Sequence, residues 1–277
     1  MIKFEHTIFA LPFAYMGAVL GARIWPSAAQ LFWITLAMAG ARSLAFALNR
    51  WIDREIDARN PRTATRALPR GLLSSADMLV FSVAAFAAFL VAVYNLAPVT
   101  RLLWPIALAP LVVYPYTKRF TWACHFVLGA SLGLAPIAAW VAVTGEVPLV
   151  GWLLVAAVAA WVAGFDVIYA TQDVDVDREQ ELHSIPARFG IGAALLLTAL
   201  LHGLAVILLV VFGLLIGAGP VYYLGVLAAA ALLWYENSLV TPEDLSRLNV
   251  AFFTMNGVIS VVVFLFTLAD KALRLRG

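Results

Sequence analysis

Asn49-Arg50-Trp51-Ile52-Asp53-Arg54-Glu55-Ile56-Asp57 closes an apolar run, Leu31 to Leu48, long enough to reach across most of a bilayer. Residues four apart on a helix are rotated by about 40°, so Asn49, Asp53 and Asp57 share one face. Tyr169-Ala170-Thr171-Gln172-Asp173-Val174-Asp175-Val176-Asp177 closes a second apolar run with the same spacing. Two carboxylate-bearing helix ends of this kind read as a site for hard cations. Mg²⁺ suits them, because it binds through one or two carboxylates together with phosphate oxygens. Asp53, Asp57, Asp173 and Asp177 are the metal candidates. Asp175 falls on the opposite helix face and reads, with Glu55, Glu179 and Glu181, as an outlying or solvated carboxylate.

The rest of the chain fits a membrane setting. Hydrophobic residues make up 64% of 277 positions and charged residues 12%, and the mean hydropathy is +0.94. A soluble domain carries roughly twice that charged fraction, so the composition indicates an integral membrane protein. A net charge of +2 gives no footprint for nucleic acid. The single cysteine, Cys124, cannot close an intrachain disulfide.

Nine apolar segments follow one another: Ile8–Ile24, Leu31–Leu48, Met78–Ala97, Leu102–Tyr116, Ala123–Val143, Val150–Ala170, Ile191–Ile216, Val221–Tyr235 and Val250–Ala269. They predict an all-α protein of about nine transmembrane helices, one domain over residues 1–277. The two acidic stretches end the second and sixth spans, which suggests an internal repeat and puts both on the same membrane face. With a cytoplasmic N-terminus, that face also receives Lys3, Arg50, Arg54, Arg59, Arg62, Arg66, Arg70, Lys118, Arg119, Arg178, Arg188 and Arg247. Only Arg23, Arg101, Lys271, Arg274 and Arg276 fall on the other, so the site is expected to face the cytoplasm.

Within the spans, ionisable residues are costly and mark partners or cavities. Arg42 lies seven residues before Asn49, about 10 Å deeper by helical rise. It reads either as the partner of a buried carboxylate such as Asp166 or as a grip for an anionic group such as a carboxylate. Asp166 lies seven residues before Asp173. It reads as that partner, as a proton acceptor or as a structural hydrogen bonder. Arg59 to Gly71 and Tyr114-Pro-Tyr-Thr-Lys118-Arg119 supply positive charge near the acidic stretches. His6, His125, His183 and His202 have no metal-ligand spacing, and His125 and His202 read as packed helix residues.

These residues resemble the UbiA superfamily of intramembrane prenyltransferases. Asn49-x₃-Asp53-x₃-Asp57 and Tyr169-x₃-Asp173-x₃-Asp177 look like its two aspartate motifs. Further matches are Ile2 to Phe13, Thr63-x-x-Arg66, Tyr114-Pro-Tyr-Thr-Lys118-Arg119 and His183 to Gly190. The resemblance covers nearly the whole chain. It implies nine helices around a central cavity, and Mg²⁺-dependent transfer of a polyprenyl group from its diphosphate to an acceptor. Asn49, Arg62, Arg66, Tyr114 and Lys118 would bind the diphosphate, and Arg42, Asp166 and Tyr169 the acceptor. The branch most resembled acts on 4-hydroxybenzoate or hydroxynaphthoate-type acids in quinone biosynthesis, at the inner (cytoplasmic) membrane. Rival readings are a haem, chlorophyll or glyceryl-phosphate prenyltransferase, a terpene cyclase of the same superfamily, or a transporter with acidic helix ends.

Overall fold

The computed structural model describes residues 7–276. Lys3, Glu5, His6 and the first residues of the Ile2–Phe13 match lie outside them. The described residues are all-helical, with no strand. In chain order the helices are α1 Thr7–Gly21, α2 Ala28–Ile52, α3 Arg54–Arg59, α4 Ser75–Tyr94, α5 Thr100–Thr117, α6 Cys124–Thr144 and α7 Gly151–Ala170. After a 3₁₀ turn, Thr171–Asp173, come α8 Val174–Glu179, α9 Ile185–Phe189, α10 Ile191–Leu215 and α11 Pro220–Ser238. A π-helical segment, Val250–Met255, opens into α12 Asn256–Arg274.

Six helices among the described residues are long and apolar enough to cross a membrane: Ala28–Ile52, Ser75–Tyr94, Cys124–Thr144, Gly151–Glu179, Ile191–Leu215 and Val250–Arg274. By that measure the expected nine spans are not reached. α5 holds Arg101 and three prolines, Pro105, Pro110 and Pro115, each of which removes a ladder donor. α11 ends in the amphipathic and polar run Trp234-Tyr-Glu-Asn-Ser238. The short helices α3, α8 and α9 all lie beside the aspartate motifs.

α7 runs through the middle of the bundle. Nearly every residue from Ala160 to Ile168 is buried, with α6 and α10 packed along α7 and the π-helical segment Val250–Met255 against it. It can be central because it is rich in Ala and Gly, and because α6 meets it with glycines of its own. A Cβ on Gly133 would sit 2.7 Å from the Val155 carbonyl oxygen, so the two backbones approach as only small residues permit. On α10, by contrast, Leu196, Leu200, Leu204, Ile207 and Leu214 are exposed, an apolar surface suited to lipid tails. α2 is among the least buried spans, because part of it borders a cavity.

The C-terminal helix fastens other helix ends. Asp270 accepts the Gly219 and Tyr222 backbone N–H groups at the start of α11, at 3.0 and 3.2 Å. Lys271 donates to the Val19 and Ala22 carbonyls at the end of α1. Groups left unpaired by the helical ladder are thereby satisfied by side chains.

Candidate active site

The two motifs do not run as single helices. α2 ends at Ile52, and Asp53 takes φ −92°, ψ 8° before α3 begins. α7 gives way to the 3₁₀ turn, and Asp173 takes φ −108°, ψ 8° before α8 begins. Both middle aspartates thus occupy the same sparsely used bridge region, a common place for active-site residues. Each motif is thus a helix end, a break and a short helix, not one unbroken helix, yet Asn49, Asp53 and Asp57 and Tyr169, Asp173 and Asp177 all line one cavity. The pattern of polar leader, break and second aspartate nevertheless occurs twice.

The first motif supplies a buried anchor for cations. Asp53, only 2% exposed, accepts Lys118 Nζ at 2.6 Å, Arg119 Nη2 at 3.3 Å and Asn49 Nδ2 at 3.3 Å. Asp57 receives Arg66 Nη1 on both oxygens, at 2.8 and 2.7 Å. Arg66 is placed by its loop: the buried Thr63 hydroxyl donates to the Asp57 carbonyl at 2.9 Å. That contact explains the Thr63-x-x-Arg66 spacing, since one residue locks the loop and the other returns to the carboxylate.

The same loop crosses to the second motif. Arg62 Nε and Nη2 clamp Asp173 at 3.0 and 2.6 Å, while Nη1 donates to the Tyr169 hydroxyl at 3.0 Å. Asn60 Nδ2 joins them on Asp173 at 2.9 Å. Burial acts to lower the Arg62 pKa, but the bonds and charge of Asp173 outweigh it and hold the guanidinium above its ordinary value. Asp177 accepts the Ser184 hydroxyl at 2.7 Å and has no cation within salt-bridge distance among the described residues. Tyr169 stacks on Phe252, with ring centroids 4.0 Å apart.

All four aspartates line a cavity of about 1020 Å³. It is at the upper end of small-molecule pockets, roughly 300–1,000 Å³. It continues past Arg42 and Leu108 to Val147 and Trp152 at the opposite ends of the helices, with a mainly aliphatic and aromatic wall. Asn49, Arg62, Arg66, Tyr114, Lys118, Asp166 and Tyr169 also line it. Among the described residues no three His, Cys, Asp or Glu side chains form a ready-made metal cage. Two separated pairs of carboxylates fit Mg²⁺ that completes its shell with ligand phosphate and water.

Arg42 does not pair with Asp166. Among the described residues its buried Nε has no hydrogen-bond partner, and no carboxylate lies within salt-bridge distance. Asp166 instead accepts His125 Nδ1 at 2.7 Å. The reading of His125 as mere packing is thereby corrected. Sequence alone held no signal for the contact, because His125 is 41 residues away on α6. Asn60 and Ser184 carry no role in the sequence reading, and Arg119 enters it only as one charge of its stretch. Asn60 and Ser184 stand in the loops beside the aspartates, a proximity that could have nominated them.

Residues 10–258 match the sequence signature of the UbiA prenyltransferase family. A protein of Citrobacter koseri named 4-hydroxybenzoate octaprenyltransferase is 32% identical over 243 residues, covering 87% of this chain and 83% of its own. The apo structure of a UbiA homolog from Aeropyrum pernix superposes with a TM-score of 0.88 at 33% identity, covering 98% of this chain and 99% of its own. A UbiA homolog from Archaeoglobus fulgidus, bound to GPP and Mg²⁺, shares the fold at a TM-score of 0.74 and 22% identity over 96% of this chain and 95% of its own. This chain therefore belongs to the UbiA prenyltransferase family and is an integral membrane prenyltransferase.

Proposed function

We propose that the protein transfers a polyprenyl group from its diphosphate to a hydroxybenzoic- or hydroxynaphthoic-type acid, with Mg²⁺, at the cytoplasmic face of the membrane. Nine spans enclose the cavity in this reading, α1, α5 and α11 joining the six long apolar helices. The carrying observation is Arg42, whose buried Nε has no hydrogen-bond partner among the described residues, inside the cavity that the paired aspartates cap. A buried guanidinium nitrogen with nothing to donate to is costly, and an acceptor carboxylate would satisfy it with charge-assisted hydrogen bonds. A glyceryl phosphate would also meet Arg42's charge, so acceptor identity rests on a direct test.

Asp53, Asp57, Asp173 and Asp177 would hold Mg²⁺ through the diphosphate; when bound, the metal supplies charge stabilisation for the departing diphosphate. Lys118, Arg66 and Arg62 would add theirs by turning from the aspartates to the phosphate oxygens. The aliphatic wall takes the polyprenyl chain and keeps water from the allylic carbon as its C–O bond breaks. Arg42 fixes the acceptor so that a ring carbon faces that centre.

Purified protein given a long polyprenyl diphosphate, Mg²⁺ and a panel of aromatic acids is expected to form a C-prenylated acid. Asp53→Ala and Asp173→Ala should remove the activity, as should EDTA, with Mg²⁺ restoring only the wild type. Full activity in chelator or in either variant would refute the metal role. Prenylation of glyceryl phosphate alone would refute the acceptor class.

A further inference from the structure

The proposed transfer leaves one proton to be removed, and α7 holds a carboxylate placed for it. Asp166 Oδ2 accepts His125 Nδ1 at 2.7 Å, whereas no hydrogen bond reaches Oδ1 among the described residues. His125 Nε2 lies 3.3 Å from the Ile185 backbone nitrogen, which carries a hydrogen and can only donate. Nε2 must therefore offer its lone pair, and the ring proton of the neutral imidazole sits on Nδ1, aimed at Asp166. The side chains of His125 and Asp166 are 4% and 15% exposed, so the pair is largely enclosed by protein, and both residues line the cavity. Tyr114 and Cys124 line the same cavity, and neither is hydrogen-bonded to Asp166.

Depth completes the placement. Counted from the matched aspartates, Arg42 lies eleven residues before Asp53 and Asp166 seven before Asp173. At 1.5 Å per residue, Asp166 is about 6 Å nearer the diphosphate end than Arg42. A phenolic acid held by its carboxylate on Arg42 would put its hydroxyl-bearing edge at about that level.

We infer that Asp166 is the base that takes the ring proton after the prenyl group is attached, with His125 as its positioning residue. This rests on the acceptor reading above. The ring's electron pair forms the new bond to the allylic carbon as the C–O bond to diphosphate breaks. The ring C–H bond at the same carbon then breaks, its electron pair restores aromaticity, and the proton moves to Asp166 Oδ1. Because Nε2 is held by Ile185, the imidazole orients the carboxylate without relaying the proton. Asp166 returns the proton to water or to the released diphosphate as the site opens.

The test uses full-length protein with the phenolic acid that the wild type prenylates best, unlabelled and deuterated at the carbons beside the hydroxyl. General-base catalysis is worth about 10²–10⁴-fold, so Asp166→Asn should lower kcat by roughly that factor. Asparagine can still accept from His125, so the fold and thermal protection by geranyl diphosphate with Mg²⁺ should persist. A primary isotope effect on kcat should appear in the variant and be small in the wild type, because proton loss has become limiting. His125→Asn, whose amide can reproduce the Nδ1–H donation, should keep more activity than His125→Leu. Loss of kcat without an isotope effect makes Asp166 structural or leaves the base to the diphosphate, and overturns the role. Near wild-type kcat in Asp166→Asn overturns it too. If the wild type prenylates no phenolic acid, the acceptor reading falls first and this role falls with it.

Discussion

Arg42 and Lys118 are both cations in one cavity, yet they stand at different depths in it and in different surroundings. Lys118 Nζ rests on Asp53 at 2.6 Å beside the motif breaks, while Arg42 Nε is buried with nothing to donate to among the described residues. Losing a charge-assisted hydrogen bond to a buried anion costs about 1.5–3 kcal/mol. Arg42→Ala is therefore expected to raise the acceptor KM roughly tenfold to over a hundredfold and leave the donor KM nearly unchanged, in steady-state assays varying each substrate. Its apo thermal midpoint should not fall, because no structural partner is lost. A large drop in that midpoint would return Arg42 to a structural role. The ion pairs of Asp53, Asp57 and Asp173 carry a second lesson. Lys118, Arg66 and Arg62, which sequence assigned to the diphosphate, rest on three of the four carboxylates assigned to the metal, so these six groups compensate one another before ligands arrive, while Asp177 has only the Ser184 hydroxyl.

At the scale of elements, the contact between α6 and α7 decides whether His125 and Asp166 meet. Gly129 and Gly133 lie four residues apart on α6, and both face the α7 backbone. Gly133→Val would force its side chain against the Val155 carbonyl, and overpacking of this kind costs about 1–3 kcal/mol. The variant should lose thermal stability and activity together, as read by its unfolding midpoint and its turnover. Gly203→Ala on α10 is the control: its added Cβ meets nothing within 4 Å, so both quantities should hold. Preserved activity in Gly133→Val would show that the dyad tolerates separation of the two helices. The motif breaks belong to the same scale. Four-residue spacing was legible, but not that Asp53 and Asp173 would each interrupt the ladder, because nothing local forces a break there. Neither proline nor glycine occurs within either quoted stretch.

For the whole molecule, most of the basic residues that weighed against a cytoplasmic N-terminus have structural partners at helix ends. Arg101 donates to the Tyr94 carbonyl, Lys271 closes α1, and Arg274 pairs with Asp270 at 2.9 Å. Three of the five positions that weighed against a cytoplasmic N-terminus thus serve helix ends. The orientation test follows directly. Cysteines at the exposed positions Arg70 and Glu179, in a Cys124→Ala background, should react with an impermeant maleimide only from the cytoplasmic side of membrane vesicles. Reaction from the other side would invert the topology and place the site outside.

The sequence by itself determined the class of the protein, the boundaries of most helices, the two aspartate motifs and the basic loops that serve them. These are properties of composition and of spacing along one helix, so they need no knowledge of how helices meet. Only the tertiary structure decided which charges pair. Asp166 goes to His125 and not to Arg42, Asn60 and Arg62 of the first loop reach Asp173 of the second, and Ser184 serves Asp177. Each is a contact between segments set side by side by helix packing and loop closure. In a chain where dozens of similar apolar faces could pack, no local rule tells one pairing from another.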